Sequence, residues 1–282
     1  MLNIIKSDIF RIIRGKTLYI ALIVMIAMVI MSLIGMSAGR IGIVMSNSEL
    51  GTEENIQNSE LEERIKNTSS LIETRKIVKE YGEFELDKEI VGANINLYYI
   101  FIAIVFIVIC VDLADSTVKN TLSSAISRKK YYLAKLIECL LLGTVFILIN
   151  NYGIYFLNIV INGSKFSSDF VEFTKLTIIQ LPILYGLISA LVCIAFVVKK
   201  KSIYNGISIP LIMGIQLILM GIIALFRLDS TIMTNWEAQY MLGNLVNNPT
   251  NEYVIKSILL GIGYVLVFNI TGYISFKKTE IK

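Results

Sequence analysis

The chain has 282 residues, 55% of them hydrophobic and only 17% charged, and its mean hydropathy is +0.69. It contains no histidine, which excludes His-dependent triads, His-based proton relays and His-ligated zinc chemistry. The net charge of +4 is unevenly spread along the chain, with the charges lying between long apolar runs, so it is no sign of nucleic-acid binding.

In the first segment, residues 1–16, Leu2, Ile5, Ile9, Ile12 and Ile13 gather on one helical face, with Asn3, Ser7, Arg11 and Arg14 opposite. That pattern predicts a helix lying in the plane of a membrane interface, its apolar face in the acyl boundary and its cations among headgroups. Gly15 offers a break before the chain turns.

Six uncharged apolar runs follow: Leu18–Gly35, Ile95–Val111, Cys139–Ile161, Leu176–Val198, Ile203–Phe226 and Ser257–Phe276. Each is close to the roughly 20 helical residues that cross a hydrocarbon core about 30 Å thick. None alternates as a barrel strand does, and none carries the polar stripe of a soluble core helix. The expected fold is an all-α polytopic membrane protein with six transmembrane helices, residues 17–282 forming one transmembrane domain. The first run exceeds a usual signal-peptide core, and Ser37-Ala38-Gly39-Arg40 is a weak cleavage site, so an uncleaved first span is expected.

Charge orients these spans. Fifteen basic residues, from Lys6 to Lys282, fall before the first run, between runs two and three, between runs four and five, and after run six. The two short loops on the other side carry Lys165, Lys175, Arg227 and Lys256 beside five acidic residues. The positive-inside bias therefore puts both termini in the cytoplasm. The long connection 38–94 is then external. It holds 12 acidic and 7 basic residues, and Ile56, Leu61, Ile65, Ile72 and Val78 within it suggest one or two amphipathic helices. It reads as a solvated cap over the external mouth, or else as a substrate-recognition element.

The cysteines, Cys110, Cys139 and Cys193, lie in or at the ends of apolar runs and have no metal spacing. No GxxxxGK[ST] loop exists to cradle ATP phosphates, and no acidic residue interrupts an apolar run. The neutral amides Asn150, Asn151, Gln216 and Asn269 lie within the runs, as possible pathway groups or as interhelical hydrogen bonds. Pro182 and Pro210 are expected to kink runs four and five, and Gly206, Gly214, Gly221, Gly261 and Gly263 to allow close helix approach.

The cytoplasmic segment 112–135 is the most specific feature. It holds the acidic pair Asp112 and Asp115, then Ser116-Thr117-Val118-Lys119-Asn120-Thr121-Leu122, then Ala125, Ile126, Ser127 and Arg128. Asp115 or Ser116 can cap a short helix on which Val118, Leu122 and Ala125 form one apolar ridge suited to a groove on a partner. This segment, with the in-plane helix and six runs, resembles the permeases of ABC-2-type exporters, most nearly those of Firmicute bacteriocin immunity and peptide export. The family often has Gly where this chain has Ser116 and Ala125.

The resemblance implies that Asp115–Leu122, Ala125, Ser127 and Arg128 couple the chain to a separate ATP-binding-cassette ATPase that holds ATP and Mg. No cofactor would sit on this chain, and it would not itself be an enzyme. A second copy or a sister permease would complete the pathway, for an amphipathic or lipid-like substrate, in the first place a peptide. A non-transporting sensor or immunity protein that binds a peptide through residues 38–94 is the alternative.

Overall fold

The computed structural model describes residues 2–50, 85–93, 95–114, 118, 126–229, 231–246 and 249–278. Among them every regular element is helical. α1 spans Leu2–Arg14, α2 Lys16–Leu50, α3 Leu86–Ala93 and α4 Ile95–Val105. α4 runs on through a π-helix, Phe106–Cys110, into a last turn, Val111–Ala114. α5 spans Arg128–Asn162, α6 Phe170–Val198, α7 Lys201–Phe226, α8 Thr231–Trp236, α9 Ala238–Asn244 and α10 Asn251–Lys277.

Among the described residues four helical stretches are long and apolar enough to cross a membrane: Lys16–Gly35, α5, α6 and α10. Two bent pairs raise the number to six if each is one span. Leu86–Gly92 meets Leu97–Leu113 at 43°, and Lys201–Ile212 meets Gly214–Phe226 at 52°. The second bend falls between Pro210, which lacks an N–H, and Gly214, as expected for run five. Pro182, by contrast, sits inside an uninterrupted α6. Large apolar side chains stand outward along α2, α7 and α10, among them Ile23, Met31, Leu217, Leu225, Leu259 and Val267. An apolar exterior on this scale suits lipid rather than water, and these are the features of a multi-pass membrane protein.

The most extensive helix pair is α6 with α10. A Cβ added at Gly261 would lie 2.4 to 2.7 Å from the backbone of Pro182 and Ile183, so the two chains touch main chain to main chain. Gly186 faces the Tyr264 side chain, and Gly272 faces the Tyr132 hydroxyl and the Cys193 backbone. Between lipid-solvated helices, close approach through small residues replaces the hydrophobic drive that water supplies. Among the described residues, Gly261 alone of the glycines expected to act so does, and Gly206, Gly214, Gly221 and Gly263 have no neighbour within 4 Å of an added Cβ.

Helix ends depart from the apolar runs. α2 continues to Leu50, through residues read as the start of the external connection, and the weak cleavage site lies inside it. Residues 86–93, read as the end of that connection, form α3 with Leu86, Asp87, Ile90 and Val91 buried. Asp87 is fully buried and accepts hydrogen bonds from the Ser168 N–H at 3.0 Å and hydroxyl at 2.7 Å, while Lys88 pairs with Glu172 at 2.9 Å. α3 is thereby fastened to the α5–α6 turn. The stretch 56–78 lies outside the described residues. α5 begins at Arg128, where the Ser127 hydroxyl accepts from the Lys130 N–H at 3.3 Å, so residues 128–135 belong to a long helix rather than a connector.

Two glycines on α10 separate packing from vacancy. Gly261→Ala is expected to lower stability by about 1–3 kcal/mol or more, because the backbone it meets cannot swing aside. Gly263→Ala should stay within about 0.5 kcal/mol of the parent. Thermal unfolding of the two variants in one detergent checks this, and equal midpoints would contradict the close contact.

Candidate functional site

The end of the bundle that holds α1 contains a buried knot of charges. Lys135, on the second turn of α5, is fully buried, an unusual state for an ammonium group. Its Nζ pairs with Asp8 of α1 at 2.7 Å, with Asp112 after the π-helix, and with Glu138 one turn on at 3.4 Å. Arg11 closes the ring, 2.6 Å from Asp112 and 3.3 Å from Asp8. Glu138 is also fully buried, and its 3.4 Å contact with Lys135 is an ion pair without hydrogen-bond alignment. Among the described residues three carboxylates thus face two cations.

Local sequence explains each placement. On α1, Ile5, Asp8 and Ile12 share the face that packs on α5 and the π-helix, and Ile5 and Ile12 are buried there. Phe10 and Ile13 stay exposed, with Arg14 lying 4.5 Å from the centre of the Phe10 ring. The wide π turn directly precedes Asp112 and changes the phase of α4 just before that carboxylate. Partial burial of the Arg11 guanidinium works against its charge, but Asp112, Asp8 and Glu138 outweigh that penalty and hold its pKa above the ordinary value.

An aromatic cluster backs the knot. Tyr131 stacks on Phe276 at 5.8 Å, Phe196 meets Phe276 at 4.9 Å and Tyr132 at 4.7 Å, joining α5, α6 and α10. Arg128 donates to the Lys277 carbonyl at 2.7 Å, which caps the C-terminal end of α10 with a cation. The first helix and the end of the last therefore sit at one end of the bundle.

Several expected site residues can be located. Val118 is 2% exposed and belongs to the apolar cluster of this chain itself, rather than to a free ridge. Ser127 caps α5 and Arg128 caps α10. Asp115, Ser116, Thr117, Lys119, Asn120, Thr121, Leu122 and Ala125 lie outside the described residues. In α1, Ile5, Ile9, Ile12, Arg11 and Arg14 fall on the helix read for them, although Arg11 reaches an internal carboxylate rather than headgroups alone.

The four amides do not converge. Asn150 donates to Asn151 at 3.1 Å, and Asn151 donates to Thr177 of α6 at 3.3 Å. Asn269 accepts from the Tyr132 hydroxyl at 3.0 Å, which is eighteen residues, or about 27 Å, back along α5 from Asn150. Gln216 is half-buried on α7. Of these two bonds, the Asn151–Thr177 one joins α5 to α6.

The knot is not apparent in the sequence, where Lys135 and Arg11 read as cytoplasmic surface cations, Asp112 as a loop residue, and no acidic residue falls within an apolar run. The helices extend past the apolar runs, so Asp112 and Glu138 are buried in the bundle all the same. Two signals pointed there: Asp8 on an otherwise apolar face, and Lys135–Glu138 three residues apart at the head of a span.

Comparison of this chain with protein-family models, with curated proteins and with solved structures finds no match.

Lys135→Met should strand buried carboxylates and destabilise the chain by about 3–5 kcal/mol, whereas the Lys135→Met/Asp112→Asn pair should recover part of that loss. Denaturation of the single, double and parent proteins measures the coupling. Strict additivity would mean that the two groups do not interact.

Proposed function

We propose that this chain is the membrane subunit of an ATP-driven exporter of the ABC-2 kind. In this reading six spans cross the bacterial plasma membrane, both termini are cytoplasmic, and α1 lies in the inner interface. A separate ATPase holds ATP and Mg and docks on the segment 112–135, and a second permease copy or a sister subunit completes the pathway. The substrate is amphipathic or hydrophobic, in the first place a peptide.

The observation that carries the proposal is the ABC-2-like segment itself, whose two end residues, Asp112 and Lys135, pair directly. A short docked helix transmits force only if its roots are rigid and biased by both sites. Here the roots are α4 and α5, joined by that ion pair, and α1 is tied to them through Asp8 and Arg11. Motion of a partner beneath the segment would reach three helices together. The exposed Phe10 and Ile13 on α1 suit contact with acyl chains, and the absence of a phosphate loop agrees with an energy source on another chain.

The isolated chain is expected to turn over no ATP, and to be captured by an ATP-binding-cassette protein expressed with it. Leu122→Asp places an unpaired carboxylate in the docking groove at a cost of several kcal/mol. Capture should then fall more than about tenfold while membrane insertion is kept. Sustained hydrolysis by the chain alone would defeat the proposal. Peptide binding with no associated ATPase would favour a sensor or immunity protein instead.

A further inference from the structure

On the outer face of α10, at the end away from the charged knot, lies a groove of about 650 Å3. It runs from Glu252 and Lys256 past Leu259 and Gly263 to Val267, fifteen residues or about 22 Å along the helix. Trp236 of α8, 56% exposed, forms the other wall. Two bonds from α10 hold that wall in place: Lys256 Nζ donates to Asn235 Oδ1 at 2.6 Å, and the Tyr264 hydroxyl donates to the Trp236 carbonyl at 2.5 Å. The floor is open because position 263 is glycine, where an added Cβ would meet nothing within 4 Å.

The lining selects its occupant. Below Lys256 the groove offers aliphatic side chains and the ring of Tyr264, whose hydroxyl proton is already committed. An extended peptide laid there would leave backbone N–H and C=O groups unpaired in an apolar setting, at a cost of several kcal/mol each. A hydrocarbon chain carries no such groups. The mouth is polar and of both signs. Glu252 and Lys256 are one turn apart, and among the described residues no ion pair joins them. Lys256 has three donors, of which Asn235 takes one.

We propose that this groove holds one acyl chain of a zwitterionic phospholipid, its phosphate on Lys256 and its primary ammonium on Glu252. The site requires only that α10 face lipid, so it goes beyond the export reading and stands or falls apart from it.

The test uses the full chain reconstituted in vesicles of phosphatidylethanolamine and phosphatidylglycerol, with a trace of either lipid carrying a photoactivatable acyl chain. The phosphatidylethanolamine probe should label residues 255–267 and Trp236 in preference to the phosphatidylglycerol probe. Gly263→Leu fills the floor and should cut that labelling at least about tenfold. Trp236→Ala, on the exposed wall, should cut it as well and serves if Gly263→Leu fails to fold. Glu252→Gln with Lys256→Gln should erase the preference between the two lipids. Equal labelling by both probes in the parent protein would overturn the assignment. So would unchanged labelling in monodisperse Trp236→Ala protein, or displacement of the probe by an amphipathic peptide.

Discussion

A lysine ammonium with no exposed surface governs the arrangement around it. Removing such a group from water is prohibitive unless opposite charge surrounds it, and effective penalties remain several kcal/mol per ion even after relaxation. Lys135 meets that requirement with carboxylates drawn from three places: Asp8 on α1, Asp112 at the foot of α4 and Glu138 on its own helix. None of these elements can shift far without leaving charge uncompensated. The amphipathic first helix is thus held by ion pairs as well as by Ile5 and Ile12, which distinguishes it from a helix that merely floats at an interface.

The remainder of the bundle provides the frame for this knot by a different physics. α6 and α10 meet through Gly261, Gly186 and Gly272, where backbone rests against backbone or against side-chain carbon. The aromatic cluster of Tyr131, Tyr132, Phe196 and Phe276 then carries that pair onto α5 directly behind Lys135. At the opposite end Asp87, Ser168, Lys88 and Glu172 clamp α3 to the α5–α6 turn. Polar contacts therefore hold α1, α4 and α5 at one end and α3, α5 and α6 at the other, while shape holds α6 against α10 along its length.

Much of this was legible from sequence, and what was not has a common cause. Long apolar runs report where helices cross an apolar phase, so each of the six runs falls within a helix or a bent helical pair. Such runs say nothing of where a helix stops in water or in contact with its neighbours. α2 outlasts Gly35, α5 starts at Arg128 ahead of its apolar stretch, and α3 is a helix that begins with Leu-Asp-Lys-Glu. Charges were assigned to the surface by a rule that counts them, yet that rule is blind to pairing across elements distant in sequence. Lys135 is 127 positions from Asp8, and no local pattern joins them. The amides were legible as polar groups at depth; that Asn151 meets Thr177 rather than a shared cavity depends on helix rotation.

The π-helix at Phe106–Cys110 bears on how α4 could respond to force. A π turn contains one residue more than the α turn it replaces. Moving that surplus residue out of the segment would turn everything beyond it by about 100° and advance it by about 1.5 Å, with no helix melted. The first residues beyond it are Val111 and Asp112, so the angular position of the carboxylate that grips both Lys135 and Arg11 is set by a single inserted residue. α4 in effect carries a built-in unit of screw motion beside its ion pairs, a discrete step of the kind a two-position device needs.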